Sequence, residues 1–374
     1  MSEDQDTSQA APEAAAPRED KDPTKRQEIR FRRRGNLAEI ILTRPTARNA
    51  LSRPMIRQMD AYLAAWAENP AVRAVVVSGD SSAFCAGGDV RSVWEAARGG
   101  DSLTRLMFRD EYTLNRRIRK FPKPYVALAD GLVMGGGLGI SVHGDLRIVG
   151  DSTVMAMPEM RLGFFTDVGT SYALSRLPGQ LGRFLALTGY RMNAADALYT
   201  GLGTHYVPSE RLFEIPDFFV GGTWGADPLA DVTRRIEAVA AEPGPAPLAE
   251  HREAIDRCFA GESIEAIRDA LAAEGGDWAQ ATLAELDRGS PTSLKVTLAA
   301  LNRAASLDFD AALSLEFRLS QAFVAGHDFH EGVRAVLVDK DQAPQWRPAR
   351  LDEIDAASVE SYFAPPPGGD LAFD

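Results

Sequence analysis

The sequence of 374 residues contains only two cysteines, Cys85 and Cys258, which lie far apart in the chain. So few cysteines exclude a disulfide-stapled fold and are typical of a reducing compartment. No uninterrupted apolar run approaches the roughly 20 residues that cross a bilayer, and the chain does not open with a basic segment followed by an apolar one. We therefore expect no membrane span and no secretory signal, and we predict a cytoplasmic location.

Common nucleotide-binding and hydrolase motifs are also missing. The chain has no Walker loop, no Gly-x-Gly-x-x-Gly fingerprint and no Gly-x-Ser-x-Gly elbow. His327 and His330 lack a nearby third ligand, so we interpret them as structural and expect no metal. The net charge of -12 argues against a general affinity for nucleic acid.

Composition divides the chain into three parts. Residues 1–27 have no aromatic residue and no apolar periodicity, which predicts a disordered acidic tail. The acids in this tail argue against a mitochondrial transit peptide, because such peptides are rich in Arg and poor in acids. Gly221, Gly222 and the Pro/Ala-rich run at 242–247 mark a shift in composition. We therefore predict a core at residues 28–222 and a mainly helical C-terminal region at 223–374.

The core region alternates strand and helix patterns. Residues 37–42 and the β-branched run 74–78 predict strands, the second buried on both faces. Between them, Ser52 is a plausible N-cap for a helix that ends near Asn69. This order is typical of repeated ββα or βαβ units with a largely parallel sheet.

The most informative stretch is residues 121–167. It contains a predicted strand at 125–129, a glycine cluster, further strand patterns at 147–149 and 154–157, and the two acids Glu159 and Asp167. Glycines after a strand let the backbone approach a ligand, and a helix that begins there presents free N–H groups. Two carboxylates on the following loop could act on a carbonyl held in such a pocket. The alternative is a glycine-rich packing loop with solvated acids.

A second glycine loop follows the strand at 74–78. We interpret residues 83–89 as this loop, and a helical stretch that contains Glu111 comes after it. Two glycine loops and an acid pair suit backbone stabilisation of an oxyanion while a carboxylate acts as base or nucleophile. Amphipathic helices are predicted downstream, and the Pro-rich residues 364–368 predict a frayed C-terminus. Three short helices are predicted at 169–177, 181–189 and 194–202, with Asn193 as the N-cap of the third, and the clearest amphipathic helices are predicted at 264–273, 292–302 and 311–325.

Several segments resemble a known family. Two segments resemble the oxyanion loops of the crotonase (enoyl-CoA hydratase/isomerase) superfamily. They are Ala83-Phe84-Cys85-Ala86-Gly87-Gly88-Asp89 and Met134-Gly135-Gly136-Gly137. The segments at 156–159, 163–169, 290–295 and 326–335 narrow the match to its 3-hydroxyisobutyryl-CoA hydrolase branch. The resemblance covers residues 30–350. It implies an α/β fold, a crotonase-like spiral of ββα units followed by a helical C-terminal region.

The resemblance also assigns roles to individual residues. The backbone N–H groups of Gly88 and Gly136 would hold the thioester oxygen. Glu159 matches the catalytic glutamate and Asp167 a second acid, and both would contact substrate. Glu111 matches a substrate-contacting acid, and Arg91 stands where relatives place a basic side chain near CoA.

One departure separates the branches of the superfamily. Hydratases carry a second catalytic glutamate two residues after the third glycine of the triplet, and this chain has Gly139 there. The resemblance therefore implies an acyl-CoA thioester hydrolase that acts on 3-hydroxyisobutyryl-CoA in valine breakdown, with 3-hydroxypropionyl-CoA as a related substrate. It implies no metal or redox cofactor, and CoA counts as part of the substrate. It leaves open whether the protein is a monomer or a homo-oligomer. The alternatives are an enoyl-CoA isomerase or hydratase and a non-catalytic crotonase-like binding protein.

Overall fold

The computed structural model describes residues 27–80, 82–100 and 103–373. The tail predicted at residues 1–27 lies outside the described residues except for Gln27. The fold contains a six-stranded sheet in the order β1-β2-β3-β5-β7-β9 and a three-stranded sheet in the order β4-β6-β8. The strands are β1 (Ile29–Arg34), β2 (Leu37–Leu42), β3 (Ala74–Gly79), β4 (Ala83–Cys85), β5 (Tyr125–Leu128), β6 (Leu132–Met134), β7 (Leu146–Val149), β8 (Val154–Ala156) and β9 (His205–Tyr206).

The larger sheet lies between two apolar cores. Only β1 and β2 pair antiparallel, and every other pairing in this sheet is parallel. Alternate residues of β3 enter opposite cores: Val75 and Val77 belong to the larger cluster and Val76 to the smaller one. This explains the continuous β-branched run in the sequence, because a parallel strand covered on both faces needs apolar residues at every position.

The smaller sheet carries the glycine loops. The prediction of a loop at 83–89 is wrong for its first three residues, which form β4 and pair with β6. They extend because all three are buried and their backbone needs partners. The parallel strands β4, β6 and β8 end just before Gly87, Gly135 and Glu159, so their carboxyl ends deliver these three segments to one edge. In parallel sheets this edge is where ligands bind.

Helices cover both sheets and make up nearly all regular structure after β9. Two predicted caps are confirmed, since Ser52 Oγ accepts from Met55 N and Asn193 Oδ1 accepts from Asp196 N. The helices are α1 (Arg53–Glu68), α2 (Val90–Arg98), α3 (Leu103–Arg119), α4 (Gly136–Gly139), α5 (Thr170–Leu174), α6 (Leu181–Thr188), α7 (Ala194–Thr200), α8 (Ser209–Leu212), α9 (Ile215–Val220), α10 (Pro228–Glu237), α11 (Arg252–Cys258), α12 (Ile264–Glu274), α13 (Gly276–Arg288), α14 (Pro291–Ala304), α15 (Phe309–Ala325), α16 (His327–Val333) and α17 (Ala356–Ser361).

The C-terminal segment packs onto the protein, so the predicted fraying at 364–368 is wrong. The Arg105 guanidinium of α3 donates to the carbonyls of Pro367, Gly368 and Gly369, and Leu371 is buried. The larger apolar cluster also contains residues from both sides of position 222. The domain boundary there stays a prediction. Within the described ranges, no helix has the length and apolar character needed to cross a bilayer.

Candidate active site

The two predicted oxyanion donors lie next to each other. Gly88 and Leu51 form an isolated parallel β-bridge. The two hydrogen bonds of this bridge run from Leu51 N to Gly87 O and from Asp89 N to Leu51 O, so the Gly88 N–H takes part in neither. Gly136 is the first residue of α4, so its N–H has no partner within that helix. A Cβ atom built on Gly136 would lie 3.0 Å from Gly88 N. Both backbone N–H groups are therefore available at one point.

Two carboxyl groups lie over the turn that leads into α4. A Cβ atom on Gly135, whose φ of +46° favours glycine, would lie 2.9 Å from Glu159 Oε1. A Cβ atom on Gly136 would lie 2.8 Å from Glu111 Oε1. Side chains at either glycine would displace these acids, so the glycines are required for the acids to approach the turn.

A small cavity of about 80 Å³ brings these groups together with Asp167. Much of its lining is apolar and aromatic, which lowers the local polarity and strengthens electrostatic interactions inside the cavity. The residues that line the cavity include Gly88, Val93, Met107, Phe108, Glu111, Gly136, Glu159, Phe164, Asp167 and Phe329.

Asp167 is fixed by a side-chain hydrogen bond. It is 6% exposed, and Oδ2 accepts from the Tyr112 hydroxyl at 2.9 Å. Burial raises the pKa of Asp167 to about 7, although the Tyr112 hydrogen bond acts in the opposite direction because it stabilises the charged form. Asp167 is therefore an acid poised near neutral pH.

Glu159 and Glu111 are less well satisfied. Each has one buried carboxyl oxygen, Glu159 Oε2 and Glu111 Oε1, without a hydrogen-bond partner in the described part of the chain. Burial, and then the negative charge of Asp167, raise the pKa of Glu111 to about 8 and hold the pKa of Glu159 well above its usual range. Perturbed acids with unpartnered buried oxygens are typical of a site that binds a polar ligand.

The position that holds an acid in hydratases has no room for one here. A Cβ atom on Gly139 would lie 2.7 Å from Val168 Cβ and 3.0 Å from Asn115 Nδ2. Val168 lies in the left-handed region with φ +55°, which is strained for a β-branched residue. His143 Nε2 donates to its carbonyl at 2.7 Å and helps to hold this conformation. The residue after Asp167 therefore fills the space beside Gly139.

Similarity to known proteins agrees with this geometry. The sequence model of the enoyl-CoA hydratase/isomerase family matches residues 37–363. The chain belongs to the crotonase superfamily. Among curated relatives, it is 44% identical to the mitochondrial 3-hydroxyisobutyryl-CoA hydrolase of Xenopus tropicalis over 89% of this chain and 87% of the relative. It is 40% identical to the protein of that name from Homo sapiens, over 93% and 91%.

Solved structures confirm the crotonase-like fold. A carnitinyl-CoA dehydratase from Mycobacterium thermoresistibile aligns with a TM-score of 0.87 and 40% identity, covering 93% of this chain and 99% of that one. An enoyl-CoA hydratase from Rhodobacter sphaeroides 2.4.1 gives 0.84 and 35%, covering 93% and 100%. The names of these structures differ from those of the curated relatives, so the residues of the site must distinguish the reactions.

The prediction of a cytoplasmic location is wrong. The curated relatives are 40–44% identical to this chain over about nine-tenths of its length, and they are mitochondrial proteins. Few cysteines and an acid-rich N-terminal composition do not discriminate between two reducing compartments.

The structure does not bring Arg91 into this crotonase site. Its side chain is largely exposed on α2 and pairs with Glu95 at 3.1 Å. A neighbouring groove of about 610 Å³ instead contains Arg53 and Arg57 of α1. It shares Val93 and Met107 with the small cavity, so the two spaces adjoin.

A buried acid that no sequence motif indicated supports the Asp167 loop. Glu316 of α15 is fully buried and accepts from Gly169 N at 2.6 Å, from Ser171 N at 3.1 Å and from the Ser171 hydroxyl. Burial raises the pKa of Glu316 to about 8, which these hydrogen bonds partly offset. The signal in the sequence was a single acid between apolar residues, Leu315 and Phe317.

Proposed function

We propose that this chain is an acyl-CoA thioester hydrolase that converts 3-hydroxyisobutyryl-CoA to 3-hydroxyisobutyrate and CoA. The curated relatives that match most of the chain carry the name 3-hydroxyisobutyryl-CoA hydrolase. The reaction places the protein in valine breakdown, and it uses only acid–base and backbone groups, so we propose no metal or redox cofactor.

The observation that carries this assignment is the position of the acids. Asp167 lies in the cavity beside Glu159, whereas Gly139 is packed against Val168 and Asn115. A hydratase needs a second carboxylate at that position to orient the water that adds to the double bond. Here the second carboxylate is Asp167, which lines the cavity together with Glu159, and this arrangement suits attack on the thioester carbonyl instead.

The chemistry follows from the geometry. The N–H groups of Gly88 and Gly136 bind the thioester oxygen and stabilise the negative charge that develops on it, worth about 3 to 4 kcal/mol for each donor. Glu159 either attacks the carbonyl carbon, giving a mixed anhydride that water then cleaves, or removes a proton from the attacking water. In both routes the C–S bond breaks and CoA leaves as the thiol after it gains a proton. Asp167 orients the water or helps CoA to depart.

The cavity suits a short hydroxylated acyl group. Phe108, Phe164 and Phe329 contribute to its apolar wall, and its volume of about 80 Å³ suits a short acyl group better than a long one. The unpartnered Glu111 Oε1 can bond the substrate hydroxyl, and a site built around such a bond rejects analogues that lack it. The adjoining groove presents the exposed Arg57 beside Arg53, which is paired with Asp110 at 2.6 Å, and Arg57 suits the anionic phosphates of CoA.

A thiol-release assay with purified protein tests the proposal. The panel contains 3-hydroxyisobutyryl-CoA, 3-hydroxypropionyl-CoA, isobutyryl-CoA without the hydroxyl, and octanoyl-CoA. We expect kcat/KM to be highest for the two hydroxyacyl substrates and lowest for octanoyl-CoA. Hydration of a 2-enoyl-CoA or double-bond migration in a 3-enoyl-CoA without release of CoA would contradict the assignment and favour a hydratase or an isomerase.

A further inference from the structure

The helix α16 lies directly behind the turn that presents Glu159. This turn is a 3-10 helix over Glu159–Leu162, and it ends at Gly163 with φ +63°. A Cβ atom on Gly163 would lie 2.1 Å from the Asp328 carbonyl oxygen, and one on Gly332 would lie 2.3 Å from Leu162 C. Two glycines therefore allow the backbone of the turn to touch the backbone of α16. No side chain separates them.

A buried hydrogen-bond chain joins the same two elements. Ser290 N donates to the Met160 carbonyl at 3.0 Å, and Ser290 Oγ donates to Asp328 Oδ2 at 2.6 Å. The other carboxyl oxygen, Asp328 Oδ1, accepts from Arg347 N at 2.8 Å and from His327 Nδ1 at 3.1 Å. Ser290 and Asp328 are buried, at 0% and 5% exposure. The Asp328 carboxylate is thus the fixed point to which the turn is attached.

This attachment matters because of how Glu159 is held. Glu159 Oε2 has no hydrogen-bond partner among the described residues, so its direction depends on the backbone that carries it. The same helix α16 also contacts the oxyanion side of the site: Trp94 Nε1 of α2 donates to the His330 carbonyl at 3.0 Å, and α2 begins just after Gly88. One short helix therefore contacts the supports of both the acid and the oxyanion donor.

We infer that Asp328, acting through Ser290, is a positioning residue that fixes the direction of the Glu159 carboxylate. It does not contact the reacting atoms. The inference rests on the proposed function for its kinetic test, because it assigns Asp328 a role in hydrolysis. Misplacement of a catalytic group by about 1 Å costs about 100-fold in rate, so a loosened turn has a measurable effect.

The variants are Asp328→Asn and Ser290→Ala, with Asp196→Asn as the matched control. Asp196 is also buried, at 1% exposure, and it accepts from Leu248 N at 2.8 Å and Tyr190 Oη at 3.2 Å, but it does not line the cavity. We expect Asp328→Asn to lower kcat for 3-hydroxyisobutyryl-CoA by about 10-fold with KM changed by less than about 2-fold. Asp196→Asn should lower the melting temperature to a similar extent and leave kcat unchanged. Equal losses of kcat in the two Asn variants would overturn the inference.

A double-variant cycle separates positioning from general destabilisation. If Asp328 acts only through Glu159, Asp328→Asn should change the residual rate of Glu159→Gln by less than about 2-fold, although it costs about 10-fold in the wild-type background. A full 10-fold loss in both backgrounds would contradict the inference.

Hydrogen exchange gives a readout that does not depend on activity. The amides of Phe164 and Ser290 donate to the carbonyls of Glu159 and Met160, so both report on the turn. Their exchange should be faster in Asp328→Asn and Ser290→Ala than in Asp196→Asn. Unchanged exchange would overturn the inference even in an active enzyme. A wild type that releases no CoA would instead refute the proposed function, and faster exchange would still support the attachment.

Discussion

Glu159 and Asp167 share one cavity and the same 6% exposure, but they are held in different ways. Asp167 is fixed through its side chain by Tyr112, and its loop is fixed by Glu316. Glu159 has an unpartnered oxygen and is fixed through its backbone, which packs on α16. The comparison indicates that the two acids have different roles. An acid that orients another molecule benefits from a fixed carboxylate, whereas an acid that exchanges bonds with substrate needs an oxygen free to react.

The same difference affects how the two acids ionise. The Tyr112 hydrogen bond favours the charged form of Asp167, so its pKa is raised only to about 7 despite burial. The charge on Asp167 then opposes ionisation of Glu159, whose pKa stays well above its usual range. Environments that push two carboxyl pKa values apart are how one site assigns two roles.

The largest effect should come from removing the reactive carboxylate. Glu159→Gln keeps the shape of the side chain but can neither attack the thioester nor accept a proton well, so we expect kcat to fall by about 1,000-fold. The measurement is CoA release at saturating 3-hydroxyisobutyryl-CoA. Glu253→Gln, which makes the same change at an exposed residue outside the cavity, is the control and should keep full activity. Near-normal turnover in Glu159→Gln would mean that Asp167 is the reactive acid.

Asp167→Asn should have a smaller effect on rate and a distinct effect on pH dependence. We expect kcat to fall by about 100-fold with little change in KM, because the orienting interaction is made mainly in the transition state. The loss of the Asp167 charge also removes a cause of the raised Glu159 pKa. The acid limb of the kcat profile should therefore move to lower pH. An isomerase needs no water and would tolerate this change, so unchanged double-bond migration in a 3-enoyl-CoA would show that Asp167 does not orient a reacting water.

The contrast between the acids also shows what the sequence could predict. Short-range signals, such as the apolar run of β3 and the Ser52 cap, predicted local structure correctly. The glycine-rich stretch indicated Glu159 and Asp167 as a pair, and the resemblance assigned their roles. Neither source indicated that Tyr112 bonds Asp167, because the two are 55 positions apart and only tertiary packing brings them together.

The errors have a common physical cause. Residues 83–85 and the C-terminal segment look irregular by composition, but each gains backbone or side-chain partners from distant parts of the chain. Long-range contacts therefore override local propensity at these places.

Buried acids should also cost stability, and Glu111 allows a test apart from catalysis. Its folded-state pKa is raised from 4.5 to about 8, so the folded protein binds more protons than the unfolded chain between these values. Its contribution to stability is therefore fully present below about pH 4.5 and is lost as the pH rises toward 8. Glu111→Gln removes this dependence. We expect the difference in melting temperature, variant minus wild type, to increase from pH 5 to pH 8. The increase should correspond to at least about 1 kcal/mol in the free energy of unfolding. A difference that does not depend on pH would show that Glu111 ionises normally.

The smallest effect should come from Tyr112→Phe. This change removes the hydrogen bond from the Tyr112 hydroxyl to Asp167, so Asp167, like Glu159, would have a carboxyl oxygen without that partner. Without the donor, the charged form of Asp167 is less stable and its pKa should rise above about 7 by about one unit, since hydrogen bonds to charged groups contribute about 1.5 to 3 kcal/mol. Turnover at pH 7 should therefore fall several-fold and recover by about pH 9. Tyr125→Phe is the matched control, because Tyr125 is equally buried and its hydroxyl donates to the Ile140 carbonyl at 2.9 Å. The control should lose stability without a change in the pH profile. If Tyr112→Phe instead lowers the rate equally at every pH, Tyr112 only packs against Asp167 and the proposed difference in ionisation between the two acids is wrong.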